Sequence, residues 1–189
     1  ILARSQRALE RADALLTEAL PIWRQLNRGD GGTLALTNLG SIAESLMQYD
    51  LALERFGQCL DYYRLTSDAR GEAHALNNLA VVAIDEGRFQ EASTLAQQSL
   101  AIFENLAADE RGKALVQRNL GWIATALAEY ATAREWLDSS LALYRRLADR
   151  EGVASVLNNL ALISYFQADY TRASELAIEA LRMFYELAD

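Results

Sequence analysis

An asparagine side chain holds a hydrogen-bond donor and an acceptor together, the two groups that an extended peptide backbone also offers. Four such residues, Asn38, Asn78, Asn119 and Asn159, stand at steps of 40, 41 and 40, each followed by Leu. An amide recurring at that interval can form a ladder along a bound strand, or it can satisfy backbone groups between repeated elements. Both readings stay open at this point. Neighbouring columns follow from the same spacing: Thr37, Asn77, Arg118 and Asn158 one residue before, and Ser41, Val81, Trp122 and Leu162 three after. Six after come Glu44, Ile84, Thr125 and Tyr165; seven after come Ser45, Asp85, Ala126 and Phe166. Trp122, Tyr165 and Phe166 therefore gather with Arg118 in the C-terminal half, and side chains of these types make good anchors for a partner.

Other chemistry finds few residues to work with. One Cys (Cys59) and one His (His74) cannot build a zinc site of the His/Cys type, and no helix motif with two histidines exists. Gly112-Lys113 lacks both the glycine five residues before and the following Ser or Thr of a phosphate loop. No catalytic residue, metal ligand or cofactor is expected. Cys59 falls on a small-residue position, so its thiol is expected to be buried and inert.

These columns must be carried by regular elements, and the composition says which. The chain has 33 Ala and 32 Leu among 189 residues and only one Pro, a composition that favours helix. The net charge is −8, which argues against a direct grip on nucleic acid phosphates by clustered Lys and Arg. No apolar run is long enough for a membrane span, and a cytoplasmic location is expected.

The asparagine period extends to six positions. An aromatic stands eleven residues after each Asn (Tyr49, Phe89, Tyr130, Tyr170), and an alanine three further on (Ala52, Ala92, Ala133, Ala173). Leucine follows at eleven after the aromatic (Leu60, Leu100, Leu141, Leu181) and a second aromatic at fourteen (Tyr63, Phe103, Tyr144, Phe184). A glycine precedes each Asn by seven: Gly31, Gly71, Gly112 and Gly152. Leu9, Ala12, Leu20, Trp23 and Leu26 continue the register backwards, with Pro21 read as a kink. Within each unit the apolar spacing predicts two amphipathic helices, one beginning near the glycine and one at the first aromatic, each about 24 Å long. Asp68, Asp109 and Asp149, three residues before a glycine, are placed to cap helix starts. Recurring alanines mark where two helices approach closely, and the larger apolar residues fill the space between layers.

These motifs resemble the tetratricopeptide repeat, whose consensus runs Trp, Leu-Gly, Tyr, Ala, Phe, Ala, Pro. Leu39-Gly40 and Leu120-Gly121 match its Leu-Gly step, Ala80 and Ala161 replace that glycine, and Cys59, Ser99, Ser140 and Ala180 fill its next small position. A period near 40, no Trp at the first site and no closing Pro are similar to the longer-helix variety in kinesin light chains and in sensor segments of large bacterial ATPase-type transcription activators. The resemblance implies an all-α right-handed superhelix: a single domain over 1–189 with a truncated repeat at 1–30 and repeats at 31–70, 71–111, 112–151 and 152–189. It implies a non-catalytic scaffold whose concave groove binds a protein or peptide. By the family's geometry, Asn38, Asn78, Asn119 and Asn159 would face that groove, with Asn77, Arg118, Asn158, Trp122, Tyr165 and Phe166 beside them. Only Arg118 supplies a basic residue there, which argues against a clamp for a C-terminal carboxylate. The alternative is an effector-sensing segment of a larger bacterial signalling ATPase or transcription regulator. Ile178, Met183, Phe184 and Tyr185 on the last helix raise the further expectation of a homodimer through uncapped ends.

Overall fold

The computed structural model describes Leu9, residues 11–12, 14–19 and 21–22, and then residues 29–106 and 109–188. Leu9, Ala12 and Pro21 lie in helix, whereas Leu20, Trp23 and Leu26 fall outside the described residues. From residue 29 onward eight helices follow in order: α1 (Gly29–Ser45), α2 (Tyr49–Leu65), α3 (Ala69–Asp85), α4 (Phe89–Asn105), α5 (Glu110–Ala126), α6 (Tyr130–Arg146), α7 (Arg150–Phe166) and α8 (Tyr170–Ala188). Odd-numbered helices carry the glycine and asparagine columns; even-numbered ones open on the first aromatic. Two compact units divide the chain, Ile1–Arg88 and Phe89–Asp189.

Starts and stops are set by local chemistry. The Oδ1 atoms of Asp68, Asp109 and Asp149 accept the amide N–H of Gly71, Gly112 and Gly152 at 2.9, 2.9 and 3.0 Å, satisfying a donor that the first turn leaves free. At the other end, helices close by one recurring device. Met47, Ser67, Gly87, Ala128, Ala148 and Ala168 take positive φ of 52 to 73°, and the next residue donates back five positions, as Asp149 N–H does to Tyr144 O at 2.9 Å. This is the Schellman arrangement, and only Gly87 reaches it with the residue that suffers no Cβ penalty. Asp149 thus ends α6 and begins α7, and it also pairs with Arg111 at 3.0 Å.

Packing follows the columns. Ala52, Ala92 and Ala133 are fully buried and Ala173 nearly so, as the close-approach reading requires. Cys59 Sγ lies 3.6 Å from Thr33 O and Ser140 Oγ donates to Ala114 O at 2.7 Å, so the small residue late in α2 or α6 hydrogen-bonds the backbone of the helix before it. The glycine column has its own cause. A Cβ on Gly112 would stand 2.5 Å from the Phe103 ring, and on Gly71 or Gly152 still closer to Tyr63 or Tyr144. The late aromatic of each even helix therefore lies flat on the first turn of the next odd helix, where only hydrogen fits. In the first unit Phe56, Ala52, Ala43 and Val82 form one core; in the second, Leu137, Leu141, Tyr144, Val156, Leu157, Ile163 and Leu176 form another.

Gln117 occupies a position held elsewhere by Leu36, Leu76 and Leu157, and its buried Oε1 has no hydrogen-bond partner. Two exposed ion pairs link the start of an odd helix to the end of the following even one: Arg146 holds Glu110 through bonds of 3.0 and 2.5 Å, and Arg150 pairs with Glu186. The two have opposite polarity.

Gly152→Ala is expected to lower stability by about 1–2 kcal/mol, because a clash with the buried Tyr144 ring outweighs the gain of about 1 kcal/mol in helix propensity. Gln117→Leu is expected to raise stability by about 1–2 kcal/mol by removing an unsatisfied buried carbonyl. Urea midpoints of the two variants check both signs; a stabilised Gly152→Ala would refute the seating of ring on glycine.

Candidate functional site

In the first unit, α1 and α3 bring up two asparagines of the column. Asn38 is exposed and Asn78 half-buried, whereas Asn77 is only 2% exposed and belongs to the packed interior. Near the ends of these helices Glu44 is half-buried and Asp85 exposed. Burial pushes the Glu44 carboxyl above its ordinary value of 4.5, and the charge of Asp85 pushes it further. Burial likewise raises Asp85. Two carboxylates at this edge make it a place where negative charge is held at a cost.

The second unit gathers more. Arg118, Asn119, Trp122, Ser155, Asn158, Asn159 and Phe184 line one open cleft of about 320 Å³. Helix α5 supplies the first three, α7 the next three and α8 the ring of Phe184. Asn119 is 7% exposed, and its Oδ1 accepts from the Arg118 guanidinium at 3.4 Å. Asn158 is exposed, while Asn159, Arg118 and Trp122 are half-buried. The Tyr144 phenol sits close by. Burial raises its pKa, and the charge of Arg118 partly opposes that rise. The cleft therefore offers amide donors and acceptors, a guanidinium and two aromatic surfaces within one space, which suits a backbone segment with one apolar side chain.

Tyr165 and Phe166 are not in this cleft. Tyr165 borders a second one of about 500 Å³ with Asn158, Leu162, Tyr170, Ser174 and Ala177. Its ring meets Tyr170 edge-on at 5.6 Å, while Phe166 stacks with Tyr130 at 6.1 Å. Tyr165 and Phe166 thus lie outside the Arg118 cluster.

Two members of the Arg118 cleft escaped the sequence reading. Ser155 stands three residues after Gly152, the place that His74 holds in its own repeat. Phe184 falls on the column of rings between layers and on the uncapped last helix, not on a groove column, and its side chain is partly open to solvent. Cys59 is buried, with its thiol pushed up by burial against a weaker lowering from the Thr37 hydroxyl. Among the described residues no group of three or more His, Cys, Asp or Glu could hold a metal ion, and no helix is long and apolar enough to cross a membrane.

Paired helices of 17 to 19 residues, glycine-seated aromatics and a small-residue column define a helical-repeat scaffold. The family model of the tetratricopeptide repeat matches residues 33–105, 71–146 and 112–186, and the chain belongs to that family. Curated proteins give no sequence match. Among solved structures, BtubC (BKLC) from P. vanneervenii is 22% identical with a TM-score of 0.79, over 93% of this chain and 73% of that one. A putative kinesin light chain of Podosopora anserina with nearly identical TPR-like repeats is 19% identical, with a TM-score of 0.70 over 98% and 92% of the two chains. The apo form of RapI is 14% identical, with a TM-score of 0.72 over 97% and 80%. At these identities the likeness is one of fold, an all-α solenoid of helix-turn-helix repeats.

Because its folded pKa is raised, Glu44 is harmless while protonated and destabilising once ionised. Its contribution falls as pH climbs from about 4.5 through the raised folded value. Glu44→Gln is therefore expected to unfold at higher urea than the parent at pH 7, with the gap closing as pH drops toward 4.5. A gap independent of pH would remove the linkage.

Proposed function

We propose that the chain is a non-catalytic scaffold that binds a protein or peptide segment. The observation that supports this most is the cleft of Arg118, Asn119, Trp122, Ser155, Asn158, Asn159 and Phe184. There the amides of Asn158 and Asn159 meet the ligand backbone, Trp122 and Phe184 take an apolar side chain, and Arg118 takes an acceptor. Asn38 and Asn78 perform the backbone role in the first unit. Within a unit, odd helices packed about 10 Å apart would match one amide to about every third residue of an extended strand. The single free, buried Cys59 suits a reducing compartment, and the cytoplasm is the proposed location.

The test is a random-peptide display selection on the immobilised protein, followed by titration of a selected peptide against the parent and against Arg118→Ala/Asn158→Ala. Binding is expected to weaken at least roughly tenfold, with the melting temperature within about 2 °C of the parent because neither residue is in the core. Peptides that bind both proteins equally would sink the assignment of this cleft. Failure to select any peptide, together with a rise in melting temperature on adding a small metabolite, would instead favour the effector-sensing reading.

A further inference from the structure

Several arginines of the second unit are held by acids of the same chain. Arg111, Arg146, Arg150 and Arg172 pair with Asp149, Glu110, Glu186 and Glu175, and all four arginine side chains are more than half exposed. Arg118 differs on both counts. It is half-buried, and among the described residues its guanidinium meets no carboxylate; its hydrogen bond runs to Asn119 Oδ1 at 3.4 Å. The rest of its cleft deepens the contrast. Asn119, Trp122, Ser155, Asn158, Asn159 and Phe184 bring no acidic side chain to the lining, in a chain with 26 Asp and Glu and a net charge of −8. Taking a guanidinium partly out of water without a counter-charge costs stability. The repeat shows that the fold needs no cation at this place, because the same column holds Thr37, Asn77 and Asn158.

Resting on the peptide-binding reading of this cleft, we infer that the ligand supplies the missing counter-charge: a side-chain carboxylate of Asp or Glu seats on Arg118, and an apolar residue within two positions of it enters between Trp122 and Phe184. The spacing comes from α5. Arg118 and Trp122 are four residues apart and share a helix face, with about 5–6 Å between such neighbours. Two residues of an extended strand span about 6.7 Å, so a longer separation between acid and apolar residue overshoots. The charge also selects among anions. One guanidinium matches one carboxylate through two parallel hydrogen bonds, whereas a phosphorylated side chain carries close to two charges and calls for a cluster of Arg. With no second basic side chain in the lining, the carboxylate is the fitting group.

The experiment is a selection from random peptides displayed without a free C-terminus, run in parallel on the whole protein and on Arg118→Gln, whose fold circular dichroism verifies. The parent pool is expected to be enriched in Asp or Glu within two positions of an aromatic or large aliphatic residue; the Arg118→Gln pool is expected to lose the acid and keep the apolar residue. For one parent-selected peptide, synthesised with an amidated C-terminus, changing its acid to the matching amide is expected to weaken binding to the parent at least roughly tenfold and to Arg118→Gln less than about twofold. A parent pool without acidic enrichment, whose binding Asn158→Ala still weakens, overturns the acidic ligand and leaves the peptide-binding cleft standing. An acidic preference that survives Arg118→Gln also overturns it. If no peptide is selected, or Asn158→Ala weakens none, the reading of the cleft fails and this inference falls with it.

Discussion

Everything in this molecule depends on an aromatic ring meeting a glycine. Tyr63, Phe103 and Tyr144 each press against the first turn of the next helix at a point where a Cβ cannot exist. That contact fixes the distance and the rotation between an even helix and the odd helix that follows it. It also explains why the first turn is capped from outside by Asp68, Asp109 or Asp149. A glycine inside a helix costs about 1 kcal/mol of propensity, and the aspartate that bonds the glycine's own N–H offsets much of that loss.

With spacing settled by glycine, alanine and the rings, the remaining face of each odd helix is relieved of packing duty and can vary. The residues before the asparagines show this freedom wherever packing does not claim them: Thr37, Arg118 and Asn158 share a register and little else, while Asn77 is buried. Variation on a constant frame is how one solenoid comes to serve unrelated partners. The same logic explains the contrast between the two units. Glu44 and Asp85 give the first an acidic edge, while Arg118 and Trp122 give the second a cationic and aromatic one.

Much of the frame was legible in the sequence because it repeats. Alanine, leucine and glycine columns in four copies mark helix contacts without any knowledge of the coordinates, and the aspartates three residues before a glycine announce their caps. The positive φ at Met47, Ser67, Ala128, Ala148 and Ala168 was not legible, since none of these residues favours that conformation and the six-residue closing bond imposes it. Site columns were harder still. Register places Asn77, Arg118 and Asn158 on one line, yet local packing buries the first and exposes the last. Spacing gives the direction of a side chain only to within a helical turn, and the depth of its neighbours decides whether solvent reaches it.

Repetition creates a hazard as well as a frame, because near-identical helix pairs can assemble with the wrong neighbour. The opposed ion pairs bear on this. In the correct pairing Glu110 meets Arg146 and Arg150 meets Glu186. If α5 paired with α8, Glu110 would face Glu186. Each exposed pair adds only about 0.2–1 kcal/mol to the native state, but that mispaired state loses the attraction and gains a repulsion. The polarity reversal therefore works as an address written in charge, by which each helix distinguishes its own partner from a near copy one repeat away.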